Sequence, residues 1–233
     1  LPLAASRGGL QCLDQPAHLR SHDRGRCGVS PDPRQPVEHR SGIYHAVSTN
    51  KGQSWTTFSD PIAEGTIQIQ FGGAEPIILD RLVDKPWMAS DKTNLPSRDN
   101  LYVVYYDYQV NPDTVPTIQC LNKSRFQSTF TSSPVQVNTQ VFKAVQFATM
   151  TVDGNGRLHI VFWASLDGIH FALYSVYSDN EGDSFSQEIK VADVVFPEPD
   201  PATGFPVSTI EGLERLYPCP SLAVDQSGGP LDG

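Results

Sequence analysis

The stretch STNKGQSW, residues 48–55, decides the fold, because a close relative, SDNEGDSF, recurs at residues 178–185. Each octet directly follows a run of strand-like composition, GIYHAV in the first case and FALYSVY in the second. Written as S-x-N-x-G-x-x-[WF], the two octets share four positions, which are Ser48, Asn50, Gly52 and Trp55 in the first and Ser178, Asn180, Gly182 and Phe185 in the second. The pattern predicts two matching turns, each between the third and fourth strands of a unit, with both aromatic side chains buried.

The sequence around the octets is typical of an all-β protein. From residue 41 onward, short runs rich in β-branched and aromatic residues, such as NLYVVYYDY, VQFATMTV, RLHIVFWA and SLAVD, alternate with turn signals such as DGNG and QSGG. The same strand order recurs from Trp87, from Ala148 and from Leu222. A four-stranded meander that repeats in this way predicts a β-propeller with long loops, whereas a sandwich would not predict a recurring four-strand order.

Charge and hydropathy exclude two classes of function. The chain has 233 residues, 39% of them hydrophobic, and a net charge of −9. The first 40 residues hold six arginines and four acidic residues, which leaves 11 basic and 22 acidic residues for the rest. Such an acidic body repels phosphate backbones, so nucleic acid is not a predicted partner. No apolar run approaches the roughly 18 to 20 residues that cross a bilayer, so no membrane span is predicted.

The chain divides into two regions of different composition. Residues 1–40 lack strand or helix periodicity and are repeatedly broken by proline and glycine, so we predict an irregular segment there, either disordered or not native coding sequence. Residues 41–233 are predicted to form the propeller. The four cysteines, Cys12, Cys27, Cys120 and Cys219, show no C-x-x-C spacing and no nearby histidine set, so neither a metal nor a cofactor is predicted and the pairing of the cysteines stays open.

The two octets resemble the Asp box, or bacterial neuraminidase repeat, of the sialidase-like β-propeller superfamily. The family signature is S-x-D-x-G-x-x-W, so Asn50 and Asn180 stand in place of aspartate and Phe185 in place of tryptophan. The resemblance covers about residues 41–233, and a third copy that should end at Phe130 has decayed. It implies four-stranded antiparallel blades and an extracellular or periplasmic protein. It also implies that the box is structural and lies away from the family's active site.

The resemblance implies a glycan-processing or glycan-binding protein of the exo-α-sialidase type, with glycans or glycoconjugates as partners. In glycoside hydrolysis one acid protonates the leaving oxygen, while a tyrosine or carboxylate stabilises the oxocarbenium-like centre. Arginines clamp the substrate carboxylate. The loops opposite the boxes supply candidates of these types, which are Arg81, Asp84, Asp107, Glu211, Arg215 and Tyr217. The family uses three arginines and an arginine-isoleucine-proline motif that is absent here. The alternative is therefore a noncatalytic propeller that acts as a protein or polysaccharide interaction scaffold.

The predicted blades do not add up to a ring. From residue 41 the sequence predicts the last two strands of one blade, two full blades and the first strand of another. Closed propellers have about four to eight blades, and closure protects their sheet edges. We therefore expect a partial propeller of about three to four blades, which would not fold stably by itself as a closed ring.

Overall fold

A computed structural model describes residues 3–6, 37–69, 77–78, 80–109, 115–123, 129–130, 133–195, 219–227 and 229. These residues form strands and connecting turns, and none of them is helical. The strands, in chain order, are β1 (Leu3–Ser6), β2 (Val37–Ile43), β3 (His45–Ser48), β4 (Thr56–Thr57), β5 (Ala63–Ile69), β6 (Ile77–Ile78), β7 (Arg81–Ser90), β8 (Leu101–Gln109), β9 (Thr117–Lys123), β10 (Val135–Gln136), β11 (Ala144–Val152), β12 (Leu158–Ser165), β13 (Phe171–Ser178) and β14 (Ile189–Val194).

Two of the sheets are four-stranded and each follows the chain order. One has the order β10-β9-β8-β7 and the other has the order β11-β12-β13-β14, so each is a meander in which sequence neighbours pair. Strand β9 pairs antiparallel with β8 and β10, and the strands of the second sheet pair antiparallel throughout. Two three-stranded sheets, β1-β3-β4 and β2-β5-β6, complete the described strands. The predicted fold class is confirmed, since the protein is all-β and its full sheets have the four antiparallel strands of a propeller blade.

The chain divides into two compact units. The first contains Leu1–Asp84 and Tyr108–Thr114, and the second contains Lys85–Asp107 and Val115–Gly233. Both four-stranded sheets lie in the second unit, apart from the first residues of β7 and the last residues of β8. Strand β7 crosses the boundary between Asp84 and Lys85, so the candidate residues on its first half belong to the first unit.

The core of the second unit follows from the two-residue period of its strands. Alternate residues of β13, beginning with Ala172, are buried, while those between them are half-exposed. The buried side of the sheet carries an aromatic cluster of Phe142, Phe162 and Tyr174, in which the Phe142 and Tyr174 ring centroids are 5.0 Å apart. Phe162 lies 6.1 Å from Phe142 and 6.3 Å from Tyr174, between centroids. These three rings form the apolar core on the buried side of the sheet.

Hydrogen bonds join the two four-stranded sheets within the second unit. The indole Nε1 of Trp87 on β7 donates to the carbonyl oxygen of Met150 on β11, at 3.1 Å. Asn100 Nδ2 donates to the Glu181 carboxylate at 2.8 Å, and Asn122 Nδ2 donates to the Glu181 carbonyl oxygen at 2.9 Å. Glu181 belongs to the second octet, so this turn fastens its own sheet to the neighbouring one.

A carboxylate secures the connection from β10 to β11. Glu188 accepts hydrogen bonds from the backbone N–H and hydroxyl of Thr139, at 2.5 and 2.8 Å, and from the backbone and side-chain amides of Gln140, at 3.0 and 3.3 Å. Burial acts to raise the pKa of Glu188, but these donors outweigh it and leave the pKa below its ordinary value. The Glu188 carboxylate therefore holds the crossing segment against the chain that leads into β14.

The structure shifts the predicted repeat register by one residue. Lys85 on β7 and Phe147 on β11 both have positive φ values, 52° and 54°, and the pairing of β11 is irregular between Gln146 and Thr149. The shared positive φ aligns Lys85 with Phe147. It therefore aligns Trp87 with Thr149 rather than with Ala148, and the irregular pairing of β11 contains a residue that the alternation of polar and apolar residues does not reveal.

Three further expectations about strands need correction. The run GIYHAV is not one strand, because Tyr44 separates β2 from β3 and the two strands pair in different sheets. The run SLAVD, residues 221–225, is not assigned as a strand. Strand β1 and the start of β2 fall within the first 40 residues, where no periodicity predicted them, because pairing with β3 and β5 compensates for weak local preference. Residues 7–36 lie outside the described part, so the prediction of an irregular segment remains a prediction.

Within the described part of the chain, no helix is long and apolar enough to cross a membrane.

Candidate functional site

The first octet folds into a turn closed by its own polar side chains. Ser48 Oγ donates to Asn50 Oδ1 at 3.0 Å and accepts from the backbone N–H of Gly52 at 2.7 Å. Asn50 Oδ1 also accepts from the backbone N–H of Ser54 at 2.9 Å, while its Nδ2 donates to Ser54 Oγ at 2.8 Å. Lys51 and Gly52 both have positive φ, at 60° and 85°. We call this arrangement the clasp.

The second octet repeats the clasp atom for atom. Ser178 Oγ bonds Asn180 Oδ1 at 2.8 Å and the Gly182 N–H at 3.0 Å, and Asn180 bonds the backbone and hydroxyl of Ser184 at 3.0 and 2.8 Å. Glu181 and Gly182 repeat the positive φ values, at 58° and 88°. The first clasp lies between β3 and β4, and the second lies between β13 and β14, the third and fourth strands of their sheet.

The clasps include a serine that the predicted pattern left as an unspecified position. Ser54 and Ser184 each bond both the oxygen and the nitrogen of the asparagine amide. The signal was available, because serine occupies the seventh position of both octets. An asparagine suits this partner, since its amide group accepts from the serine backbone and donates to the serine hydroxyl.

The predicted burial of both aromatic side chains is wrong for Trp55, which is 41% exposed. Its ring lies against the surface of the turn, 3.8 Å from where a Cβ on Gly52 would be. Phe185 is half-buried, and Gly182 faces Leu158 and Cys120 as well as Phe185. The larger indole therefore covers its clasp from outside, whereas the second clasp is enclosed by the neighbouring sheet.

The decayed third copy falls almost wholly outside the described residues. Lys123, which stands where the pattern requires serine, is described and is buried. Burial lowers the pKa of the Lys123 ammonium from its ordinary value. Residues 124–128, which include the other two altered positions, lie outside the described part.

We expect Asn180→Ala to lower the free energy of unfolding of the second unit by about 2 kcal/mol, because three hydrogen bonds of the clasp are lost. Asn180→Asp should stay within about 0.5 kcal/mol of the parent, because a carboxylate can accept from both the backbone and the hydroxyl of Ser184. Urea unfolding followed by tryptophan fluorescence measures both. Asn155→Ala, at an exposed turn tip, is the matched control. Equal losses for Asn180→Ala and Asn155→Ala would contradict a stabilising role for the clasp.

Of the six catalytic candidates, three are described, and they are divided between the two units. Arg81 and Asp84 lie on β7 in the first unit, three positions apart, so strand alternation directs them to opposite faces. Asp107 is buried near the end of β8 in the second unit, where its carbonyl oxygen accepts from Thr117 Oγ1 at 3.3 Å. Glu211, Arg215 and Tyr217 lie outside the described residues. The assembly of a catalytic set from these six residues thus remains a prediction.

The start of β7, which carries Arg81, is tightly seated within the first unit. Ser41 Oγ donates to the Val83 carbonyl oxygen at 2.7 Å and accepts from the Val83 N–H at 3.3 Å. Gly65 on β5 lies so close to the Arg81 backbone that any Cβ there would overlap the Arg81 carbonyl group. The start of β7 is also held by the backbone N–H of Arg81, which donates to Asp80 Oδ1 at 2.6 Å.

The loop between β12 and β13 is built around Asp167. Its carboxylate accepts from Ser165 Oγ at 3.0 Å, from the backbone N–H groups of Ile169 and His170, both at 2.8 Å, and pairs with His170 Nδ1 at 2.6 Å. The His170 side chain and these backbone donors hold the pKa of Asp167 well below its ordinary value. Leu166 and Ile169 are exposed on the same loop, and Val141 is exposed on the loop before β11.

An aspartate ends the first strand of each full sheet. Asp91 follows β7, is buried, and accepts from Ser97 Oγ at 2.6 Å and the Thr93 N–H at 2.7 Å. Asp153 follows β11 and pairs with His159 Nε2 at 3.0 Å. Burial acts to raise the pKa of Asp153, but His159 and two backbone N–H groups outweigh it, so the pKa lies below its ordinary value. Both carboxylates have their oxygens occupied by their own hairpins, which indicates a structural role.

A groove of about 380 Å³ opens in the second unit near the ends of these first strands. Its lining comes from β7 and Lys92 just beyond it, from β11, and from the extended segment 219–227, and comprises Met88, Ala89, Ser90, Lys92, Met150, Thr151, Val152, Leu222, Ala223, Val224 and Gln226. Gln226 Nε2 donates to the Val152 carbonyl oxygen at 2.5 Å, which attaches the segment to β11. The groove is within the size range of small-ligand sites.

Comparison with known proteins gives matches among solved structures. No family model matches the chain, and no curated protein matches it. A Hadza microbial sialidase, Hz136, matches with 12% identity and a TM-score of 0.46, over 65% of this chain and 32% of that protein. Trypanosoma rangeli sialidase in complex with the inhibitor DANA matches with 14% identity and a TM-score of 0.40, over 68% and 29%. The same sialidase in complex with sialic acid matches with 14% identity and a TM-score of 0.37, over 65% of this chain and 27% of that protein.

This chain spans about a third or less of the length of each matched sialidase. The matches concern the course of the strands, and they assign no residue of this chain a role.

Proposed function

We propose that this chain is part of a sialidase-like propeller that binds and processes glycans, with exo-α-sialidase chemistry as its reaction. The observation that supports this most is the pair of clasps, in which serine, asparagine, glycine and a second serine make the same hydrogen bonds in two sheets. The octets that form the clasps resemble the Asp-box signature, and the proposal rests on that resemblance. The extracellular or periplasmic location proposed with it follows from the same resemblance.

The described carboxylate best suited to general acid catalysis is Asp107. It lies near the end of β8, the second strand of its sheet, and its side chain is buried. The loops that join second to third strands lie at the opposite end of the sheet from the clasp, because successive strands are antiparallel. Asp107 would protonate the leaving oxygen, with Arg81 and Arg215 proposed to bind the substrate carboxylate.

A fluorogenic α-sialoside tests this proposal on the purified protein. We expect turnover that falls by about 100-fold or more in Asp107→Asn, as general acids typically contribute 10²–10⁴-fold. Asp193→Asn is the matched control, because Asp193 is an exposed carboxylate on the edge strand β14 and pairs only locally with Lys190. Absence of turnover, together with unchanged glycan-array binding in Arg215→Ala, would overturn the proposal.

A noncatalytic protein scaffold is the second candidate. The observation that favours it is the exposure of three aliphatic side chains, Val141, Leu166 and Ile169, on loops at the Asp107 end of the second unit. Exposed apolar side chains on neighbouring loops are typical of protein contacts. If the sialoside is not turned over and no glycan binds, a Leu166→Ser, Ile169→Ser variant that loses a protein partner held by the parent would favour the scaffold.

A further inference from the structure

Trp87 combines two properties that rarely occur together in a structural tryptophan: it is exposed and it is fixed. The residue is 46% exposed, although its indole Nε1 donates to the Met150 carbonyl oxygen at 3.1 Å. Trp163 shows the contrasting behaviour, since it is 6% exposed and packs between Phe147 and Phe171, with centroids 5.7 and 4.9 Å away. Trp163 therefore fills the core, whereas Trp87 does not.

The backbone before Trp87 is held in an uncommon conformation. Lys85 has a φ of 52°, in the left-handed region that side chains other than glycine rarely adopt. Pro86 follows and has its own φ restricted by its ring. Lys85 Nζ lies 5.5 Å from the centre of the Phe147 ring, so the Lys85 side chain is also held in place. Such conformations persist only where surrounding contacts enforce them, and they concentrate at functional positions.

Trp87 does not line the groove itself, but its indole donates to the carbonyl oxygen of Met150, a residue that does. Met88 lines it together with Met150, and these are the two methionines of the chain. Methionine side chains adapt to irregular ligand surfaces, and Leu222 and Val224 add further apolar area. Lys92 lies at the same groove, but its ammonium pairs with Asp99 at 3.7 Å, which disfavours a ligand that needs this cation.

We propose that Trp87 and this groove form a carbohydrate-binding subsite, in which the indole stacks on the apolar face of a neutral pyranose ring. A pyranose presents C–H groups on its faces and hydroxyls at its edge, which suits a flat aromatic side chain beside a groove with polar backbone groups. Because the hydrogen bond to Met150 already orients the indole, little side-chain entropy is lost on binding. The subsite rests on the glycan-binding half of the proposed function and lies outside the six catalytic candidates.

Neutral oligosaccharides test the subsite directly. Cellohexaose, maltohexaose and laminarihexaose are titrated into the full chain, with isothermal calorimetry and tryptophan emission as readouts. We expect at least one of them to bind and to perturb the emission, and we expect Trp87→Ala to weaken that binding by about tenfold or more, the factor that corresponds to about 1.4 kcal/mol. Trp87→Phe, which keeps an aromatic face, should stay within about threefold of the parent. Melting temperatures of both variants report whether the fold is intact.

Trp55 provides the matched control. It is 41% exposed, close to the value for Trp87, but it lies in the first clasp and belongs to the first unit, whereas Trp87 and the groove belong to the second unit. Trp55→Ala should leave oligosaccharide affinity unchanged. The inference is overturned if none of the three oligosaccharides binds at millimolar concentration, or if Trp87→Ala binds them as the parent does. It is also overturned if Trp55→Ala and a folded Trp87→Ala lose affinity equally.

The subsite and the proposed sialidase activity fail in different ways. Loss of neutral oligosaccharide binding in Trp87→Ala, in a protein that never turns over the α-sialoside, would support the subsite and reject the hydrolase. Sialoside turnover in a protein whose neutral oligosaccharide binding does not depend on Trp87 would give the opposite result.

Discussion

Gly65→Ala should unfold the first unit, or lower its free energy of unfolding by at least about 3 kcal/mol. A Cβ at residue 65 would overlap the Arg81 carbonyl oxygen and would lie 2.5 Å from the Arg81 carbonyl carbon and 2.6 Å from its Cβ. The obstructing atoms are mostly backbone, so no side-chain rotation relieves the overlap. The strain can be released only by moving β5 away from β7, which would also pull Val83 from the hydroxyl of Ser41.

Gly42→Ala is the control for this substitution. Gly42 pairs directly with Glu64, the neighbour of Gly65, and a Cβ there would meet only the ring of Tyr44, at 2.7 Å. That ring is a side chain on an exposed residue and can rotate away, so we expect a loss of about 1 kcal/mol or less. Thermal unfolding gives the difference, and hydrogen exchange of β2 and β5 locates it. Similar melting temperatures for the two variants would contradict the close approach of Gly65 to Arg81.

The Gly65→Ala variant also bears on the candidate catalytic arginine. If Arg81 binds a substrate carboxylate, a shift of β7 should raise KM for the sialoside even in the fraction of protein that remains folded. Asp107 lies in the second unit, so the chemical step at saturating substrate should change less. A variant that loses only kcat would point away from Arg81 as a substrate-binding group.

The sequence alone could predict the repeating parts of the fold because they depend on local chemistry. A clasp is specified within eight residues, since each donor finds its acceptor two or four positions away, as Ser178 and Asn180 show. Strand β13 was equally predictable, because its alternate residues face a buried side and a half-exposed side. Patterns of this kind do not depend on knowing which sheets become neighbours.

Features that depend on neighbouring sheets could not be predicted from the sequence. The positive φ values at Lys85 and Phe147 leave no mark in the polar and apolar alternation, so the predicted repeat register was displaced by one residue. Trp55 was expected to be buried, since tryptophan is strongly apolar, yet it covers the surface of its turn from outside. Glu188 has no motif at all, because its four donors come from a segment almost 50 positions away.

The candidate site was the least predictable part for a related physical reason. Catalytic residues of a propeller come from loops of different blades, so no spacing along the chain connects them. Residue type was the only guide to Arg81, Asp84 and Asp107, and solvated loop charges have the same types. The Asp167 loop illustrates the difficulty, since its carboxylate is committed to its own hairpin by four hydrogen bonds. The expectation of an incomplete ring likewise remains a prediction.

Phe162→Ala should produce the largest loss of stability in the second unit, about 3 to 5 kcal/mol. Phe162 is fully buried on β12, with Phe142 in edge contact at 6.1 Å and Tyr174 nearly parallel at 6.3 Å, between centroids. Removing the ring leaves a cavity beside Phe142 and Tyr174. Because the centroids of these two rings are already 5.0 Å apart, the two side chains cannot both move into the cavity. Urea unfolding measures the loss, provided that its dependence on urea concentration is the same as in the parent.

Two further substitutions separate cavity formation from loss of aromatic contact. Phe162→Leu keeps most of the apolar volume and should cost about 1 to 2 kcal/mol, while Phe185→Ala removes a ring that is only half-buried and should cost less than Phe162→Ala. If Phe162→Leu is as damaging as Phe162→Ala, the ring contacts rather than the filled volume stabilise the sheet. If Phe185→Ala is as damaging as Phe162→Ala, the aromatic cluster is not the centre of the core, because a residue outside it would then contribute as much as one within it.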